Sequence, residues 1–169
     1  MIIIVLFLIT GIFVKKECTI ERSITINKPK QEVFDYIKLL KNQDNFSVWM
    51  KMDPDMKKEY IGTDGTIGFT AAWDSERDDV GKGSQTITKI DEGNRIDFAL
   101  HFIKPREGDA NCYMSTEQAG DNQTLVKWVF QSKAPYPFNV MLLIMPMDKY
   151  VGEPLEKGLV NLKEILEKK

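Results

Sequence analysis

His101 is the chain's only histidine, and so its only side chain that ordinarily titrates near neutral pH. A base at this position would need a reacting group within hydrogen-bond reach. Strand alternation sets it opposite Phe98, Leu100 and Phe102, toward an outer face. Catalytic residues are therefore not assigned. Cys18 and Cys112 stand far apart and form no C-x-x-C pair, so neither a zinc site nor a disulfide framework is indicated. Asp53 and Asp55 have D-x-D spacing, but the following Met-Lys-Lys-Glu-Tyr offers no calcium-loop register. Asp74, Glu76, Asp78 and Asp79 read as a solvated loop. Gly81-Lys82-Gly83-Ser84 lacks the full phosphate-loop motif and precedes a strand, so it reads as a β-turn. Asn45-Phe46-Ser47 and Asn122-Gln123-Thr124 match the glycosylation sequon, which matters only in a eukaryotic secretory pathway. No metal site and no cofactor is expected. Tyr113 and Glu117 are the polar groups to inspect first for catalysis.

The aromatics carry a different chemistry. Phe69, Trp73, Phe98, Phe102, Trp128 and Phe130 fall on inferred inward faces. With Trp49, Tyr113, Met141 and Met145 they form the expected ligand-binding set. Aromatic rings and flexible methionines suit an apolar guest of loose shape. The same residues could equally fill a core, because core and cavity wall need the same inward-facing side chains.

The elements that position them follow from periodicity. Cys18–Asn27 alternates: Cys18, Ile20, Ile24 and Ile26 share one face, with Arg22 the exception among them. Pro29 opens a helix in which Val33, Phe34, Ile37 and Leu40 recur at helical spacing. Asn42–Met50 reads as a second short helix or turn. Short strands are expected at 57–62, 66–73, 84–91, 95–103, 109–118 and 124–134, separated by turn residues. In 66–73, Ile67, Phe69, Ala71 and Trp73 should share a face. Such spacing argues for an antiparallel meander. A final helix is placed near 153–168, its start marked by Glu153-Pro154 and its stripe by Leu155, Leu159, Leu162, Ile165 and Leu166. The sheet's apolar face and this stripe must bury each other.

Size and charge bound the rest. A chain of 169 residues, 43% hydrophobic and 28% charged, is one ordinary domain with a core. Its net charge of −2 supplies no global attraction to a polyanion, so no nucleic-acid partner is expected. Residues 1–14, MIIIVLFLITGIFV, are nearly all apolar. As a helix they would reach about 21 Å, short of a ~30 Å hydrocarbon core. A membrane anchor with residues missing upstream, a signal-peptide core and a buried core element all fit this run. The anchor is adopted here, because the run has no polar stripe. The expectation is thus an apolar N-terminal helix over 1–16, membrane association through it on an unspecified side, and a folded unit over 17–169.

ERSITINKPKQEVFDYI (21–37), GKGSQTITKI (81–90) and MPMDKYVGEPLEKGLVNLKEIL (145–166) resemble the polyketide cyclase/dehydrase and lipid-transport family, a branch of the SRPBCC or START-like superfamily. The resemblance covers roughly residues 17–168. It implies an α+β helix-grip fold: a curved antiparallel sheet of about six to seven strands wrapped around a long C-terminal helix. It also implies a deep cavity between sheet and helix, used for hydrophobic or lipid-like molecules, and an apolar N-terminal span in many members. The expected function is binding of such a molecule. The alternative is a cyclase/dehydrase-type enzyme acting on a polyketide-like or aromatic substrate in the same cavity. The family shares no catalytic motif, so no catalytic residue is carried over.

Overall fold

The computed structural model describes residues 10–168. It is an α+β helix-grip fold. Seven antiparallel strands form one open sheet: β1 (Glu17–Ile26), β2 (Lys57–Ile61), β3 (Thr70–Asp74), β4 (Lys82–Asp91), β5 (Arg95–Lys104), β6 (Gly108–Gly120) and β7 (Gln123–Lys133). The spatial order is β1-β7-β6-β5-β4-β3-β2. Every neighbour from β2 to β7 is thus a sequence neighbour, as a meander requires, and β1 closes onto the last strand.

Between β1 and β2 run α1 (Lys30–Lys38), a 3-10 turn, α2 (Gln43–Phe46) and α3 (Val48–Met52). After β7 come a 3-10 turn, α4 (Met141–Ile144), a π-helical turn at Asp148–Gly152, and α5 (Glu153–Glu167). Pro154 sits in the first turn of α5, where its missing N–H costs nothing. Leu155, Leu159, Leu162 and Leu166 make the buried stripe. Ile87, Ile96, Phe98, Met114, Val126 and Trp128 oppose it from the sheet, with Val33, Phe34 and Ile37 of α1 closing one end. Each fully buried side chain of this kind contributes about 1.5–3 kcal/mol.

Register shifts at Ile87/Lys89 and at Gln118/Gly120 add local bends that help the sheet curl. Gly81 turns the chain into β4 with φ +67°, and a β-carbon there would collide with the Lys104 carbonyl. Arg22 is the polar exception on the inner face of β1, opposite Trp128. Its guanidinium pairs with Asp148 and lies 3.7 Å from Glu156. It therefore ties the π turn and α5 to the sheet.

Two expectations need correction. The strand expected from residue 66 begins at Thr70. Residues 63–68 instead form a turn, with Thr66 N–H donating to Thr63 and Gly68 at φ +90°. Ile67 is consequently 64% exposed and does not share the inward face of Trp73. The second correction concerns membrane association. Residues 1–9, which carry most of the apolar run, lie outside the described residues. Among the described residues no helix is long and apolar enough to cross a membrane. Residues 10–13 make one helical turn. Asn139, itself fully buried, donates from Nδ2 to the carbonyls of Gly11 (2.7 Å) and Val14 (2.9 Å). The described end of the expected anchor is thus hydrogen-bonded to the chain that follows β7, and the localisation expected from it is withdrawn.

Candidate functional site

The inner layer is packed ring on ring. Phe46 meets Trp128 edge-on with centroids 5.6 Å apart, and Trp49 meets it at 6.4 Å. Trp128 Nε1 donates to Cys112 Sγ at 3.1 Å. Burial pushes the Cys112 thiol up to about 12, so it serves as a small core group and not as a nucleophile. Trp73 stands edge-on to Phe102 at 6.3 Å, and Tyr60 stacks on Phe69 at 6.2 Å with 9° between planes. The Tyr60 hydroxyl donates to Asp44 at 2.5 Å, and burial together with that carboxylate raises its pKa.

Phe69, Phe98 and Trp128, with Trp49 and Phe130 packed against them, belong to one core cluster, and Trp73 and Phe102 pair with each other. Where this layer borders open space, at Trp73, Tyr60 and Gln85, the pocket measures about 20 Å³. That is room for one water-sized group. Gln43 Nε2 borders the same pocket, buried and without a hydrogen-bond partner.

The roomy site draws chiefly on the sheet's other face. Pleat alternation sets Gln85, Leu100, Ala110 and Ser132 in a row continuous with the core. The adjoining row, Thr86-Ala99-Asn111-Gln131, and the next, Ser84-His101-Asp109, present their side chains to the opposite side. These two rows, with Leu100 and Ala110 of the core-facing row, floor an open cleft of about 980 Å³. Phe138, Met141, Leu142 and Met145, from the segment after β7, form its apolar wall, with Arg106, Glu107 and Lys133 also at its lining.

Met141 and Met145 of the expected set thus line this cleft, and the aromatics of the inner layer do not. Tyr113 belongs to neither group. It pairs with Asp97 and Val129 on the face away from the core, and the Arg95 guanidinium lies 3.6 Å from its ring centroid. Glu117 is held on the surface by Lys127 at 2.7 Å. His101 was set aside because it faces outward, yet outward is where the cleft lies. Its Nδ1 is 2.7 Å from Asp109 Oδ1. Sequence alternation identifies the shared face of His101, Asp109, Asn111 and Gln131. It gives no sign that residues 138–145 wall the same space.

No protein-family model matches the sequence, and a search of curated proteins finds no match. Solved structures do match. Norcoclaurine synthase from Thalictrum flavum, in complex with dopamine and hydroxybenzaldehyde, superimposes with a TM-score of 0.65 at 10% identity, over 95% of this chain and 92% of that one. The Aha1 dimer from Colwellia psychrerythraea gives 0.61 at 14% identity, over 89% and 96%. The major latex-like protein 151 of Panax ginseng gives 0.61 at 10%, over 89% and 97%. The chain accordingly shares the helix-grip fold of these proteins.

Proposed function

We propose that this chain binds a hydrophobic or lipid-like small molecule, and that the cleft beside residues 138–145 receives it. The observation that carries this reading is the cleft: its volume of about 980 Å³ and its wall of Phe138, Met141, Leu142 and Met145. Volumes of ~300–1,000 Å³ are usual for small-molecule sites. Phe138 and Met145 are 65% and 38% exposed, so their coverage by a guest would remove apolar surface from water. Each Å² so removed is worth about 25 cal/mol. Thioether side chains adapt to guests of different outline. The norcoclaurine synthase structure, with its two small aromatic ligands, is a precedent for small-molecule binding on this fold.

In this reading residues 17–169 are the binding unit. The aromatic layer of Trp49, Phe69, Trp73, Phe98, Phe102, Trp128 and Phe130 is its rigid backing.

Native mass spectrometry of the full chain, purified gently from cells, tests the proposal. An apolar mass should co-purify, and an uncharged fluorescent apolar probe should compete for the same site. Met141→Glu and Met145→Glu place a carboxylate in the apolar wall and should each weaken the probe at least about tenfold, since an unpaired charge in an apolar contact costs more than 1.4 kcal/mol. A chain that binds no apolar probe, or whose affinity ignores both substitutions, overturns it.

A further inference from the structure

The polar floor of the cleft narrows the class of guest. This step rests on the binding reading above. We propose that the cleft selects an apolar molecule bearing a weakly acidic hydroxyl, a phenol or an enol, and that His101, oriented by Asp109, accepts that hydroxyl's proton.

His101 on β5 and Asp109 on β6 are direct cross-strand partners, with Nδ1 and Oδ1 at 2.7 Å. A carboxylate only accepts, so Nδ1 donates to it, and in the neutral ring Nε2 is the acceptor. Nε2 makes no hydrogen bond among the described residues. Both residues line the cleft. The adjoining row adds Asn111 and Gln131, cross-strand partners whose side-chain amides are likewise unengaged among the described residues. They can serve a carbonyl or a second hydroxyl on the same guest.

Arg106 and Glu107 offset each other in charge, Lys133 is held by Glu17 at 3.0 Å, β4 contributes the uncharged Ser84 and Thr86, and Asp109 leaves one negative charge over. An anionic head group therefore finds no counter-charge. A weak acid does better. Its O–H proton moves onto Nε2, leaving a phenolate or enolate beside an imidazolium, and the positive ring faces Asp109. No oxidant or co-reactant is needed, and the exchange reverses on release. Asp109 is a positioning residue: it sets the tautomer and stabilises the charged ring.

The test uses the full chain with two probes, 4-nitrophenol and its methyl ether 4-nitroanisole, below the phenol's own pKa. The phenolate absorbs at longer wavelength than the phenol, so protonation of the bound probe is read directly. The wild-type chain should bind the phenol at least about tenfold more tightly than the ether and shift it toward the phenolate spectrum. His101→Gln should bind both probes alike and lose the shift. Asp109→Asn should lose it too, and Asp109→Glu should restore it. Equal affinity for the two probes in the wild type, or a phenolate shift that survives His101→Gln, overturns the role of His101 and leaves the cleft as a binding site. Binding of neither probe overturns both readings.

Discussion

Gly158 measures how full the space between sheet and helix is. It lies on α5, and a β-carbon built there would stand 2.8 Å from Cζ3 of Trp128. Two effects oppose each other in Gly158→Ala. Alanine is the better helix former by about 1 kcal/mol. Forcing an extra methyl against a packed ring costs about 1–3 kcal/mol. The ring has little freedom to withdraw, since Phe46 and Trp49 meet it edge-on and its N–H is bound to Cys112. The net change should lie between zero and a loss of ~2 kcal/mol. For a chain of this length such a loss lowers Tm by roughly 4–8 °C.

In a Trp128→Phe background the far edge of the indole is gone. The same Gly158→Ala substitution should then stabilise by about 1 kcal/mol, the helix term alone. Guanidinium unfolding of the four variants reads this as a coupling between the two sites. The decisive feature is the change of sign. Should Gly158→Ala stabilise by the full helix increment in both backgrounds, the seam has space to spare. The reading of a filled inner layer would then fail, and the ligand cavity expected between sheet and helix would return in place of the outer cleft.

Two further outcomes follow from single side chains. Arg22→Met should cost about 1 kcal/mol or less, because Asp148 and Glu156 are exposed, and should raise hydrogen exchange in Asp148–Gly152 ahead of the rest of α5; unchanged protection there would show that the π turn is held by something else. Cys112 gives a pH dependence. Its folded pKa of about 12 exceeds the reference 9.0, so its contribution is complete below pH 9 and is lost as pH rises toward 12. Stability should fall by up to about 1.4 kcal/mol per pH unit across that window, and Cys112→Ala should flatten the slope; parallel wild-type and variant curves would refute it.

The sheet was legible because its strands alternate. Ile96, Phe98 and Leu100 against Asp97, Ala99 and His101 give the inner face of β5 without any structure, and β7 reads the same way from Val126, Trp128 and Phe130. Arg22 was visible as an intruder on the inner face, but its partners Asp148 and Glu156 come from a tail whose path a local pattern does not encode. Ile67 was misplaced because alternation continues through a turn that Gly65 and Gly68 make possible. The site was harder. Inward aromatics look the same whether they line a cavity or touch one another, and here they touch. The outward face of His101 was legible, but not that this face borders a cleft. The wall of Phe138, Met141, Leu142 and Met145 is a tertiary event. Its only local trace is a run of large apolar residues, Met141–Ile144, none of them buried.

The pairing of β1 with β7 has a consequence for how the chain is made. Glu17 lies opposite Lys133, and Gln123 reaches Asn27 across 96 positions. On the ribosome β1 is the first strand to emerge and the last to find its neighbour. β2 to β7 can zip hairpin by hairpin as they appear, whereas β1 must wait with Ile20, Ile24 and Ile26 uncovered until β7 is complete. Contacts this distant slow folding, since a long loop must close before they form. An unpaired apolar strand is also a template for another chain. Synthesis at high concentration should therefore be this protein's vulnerable moment, with β1 as the segment a chaperone would need to shelter.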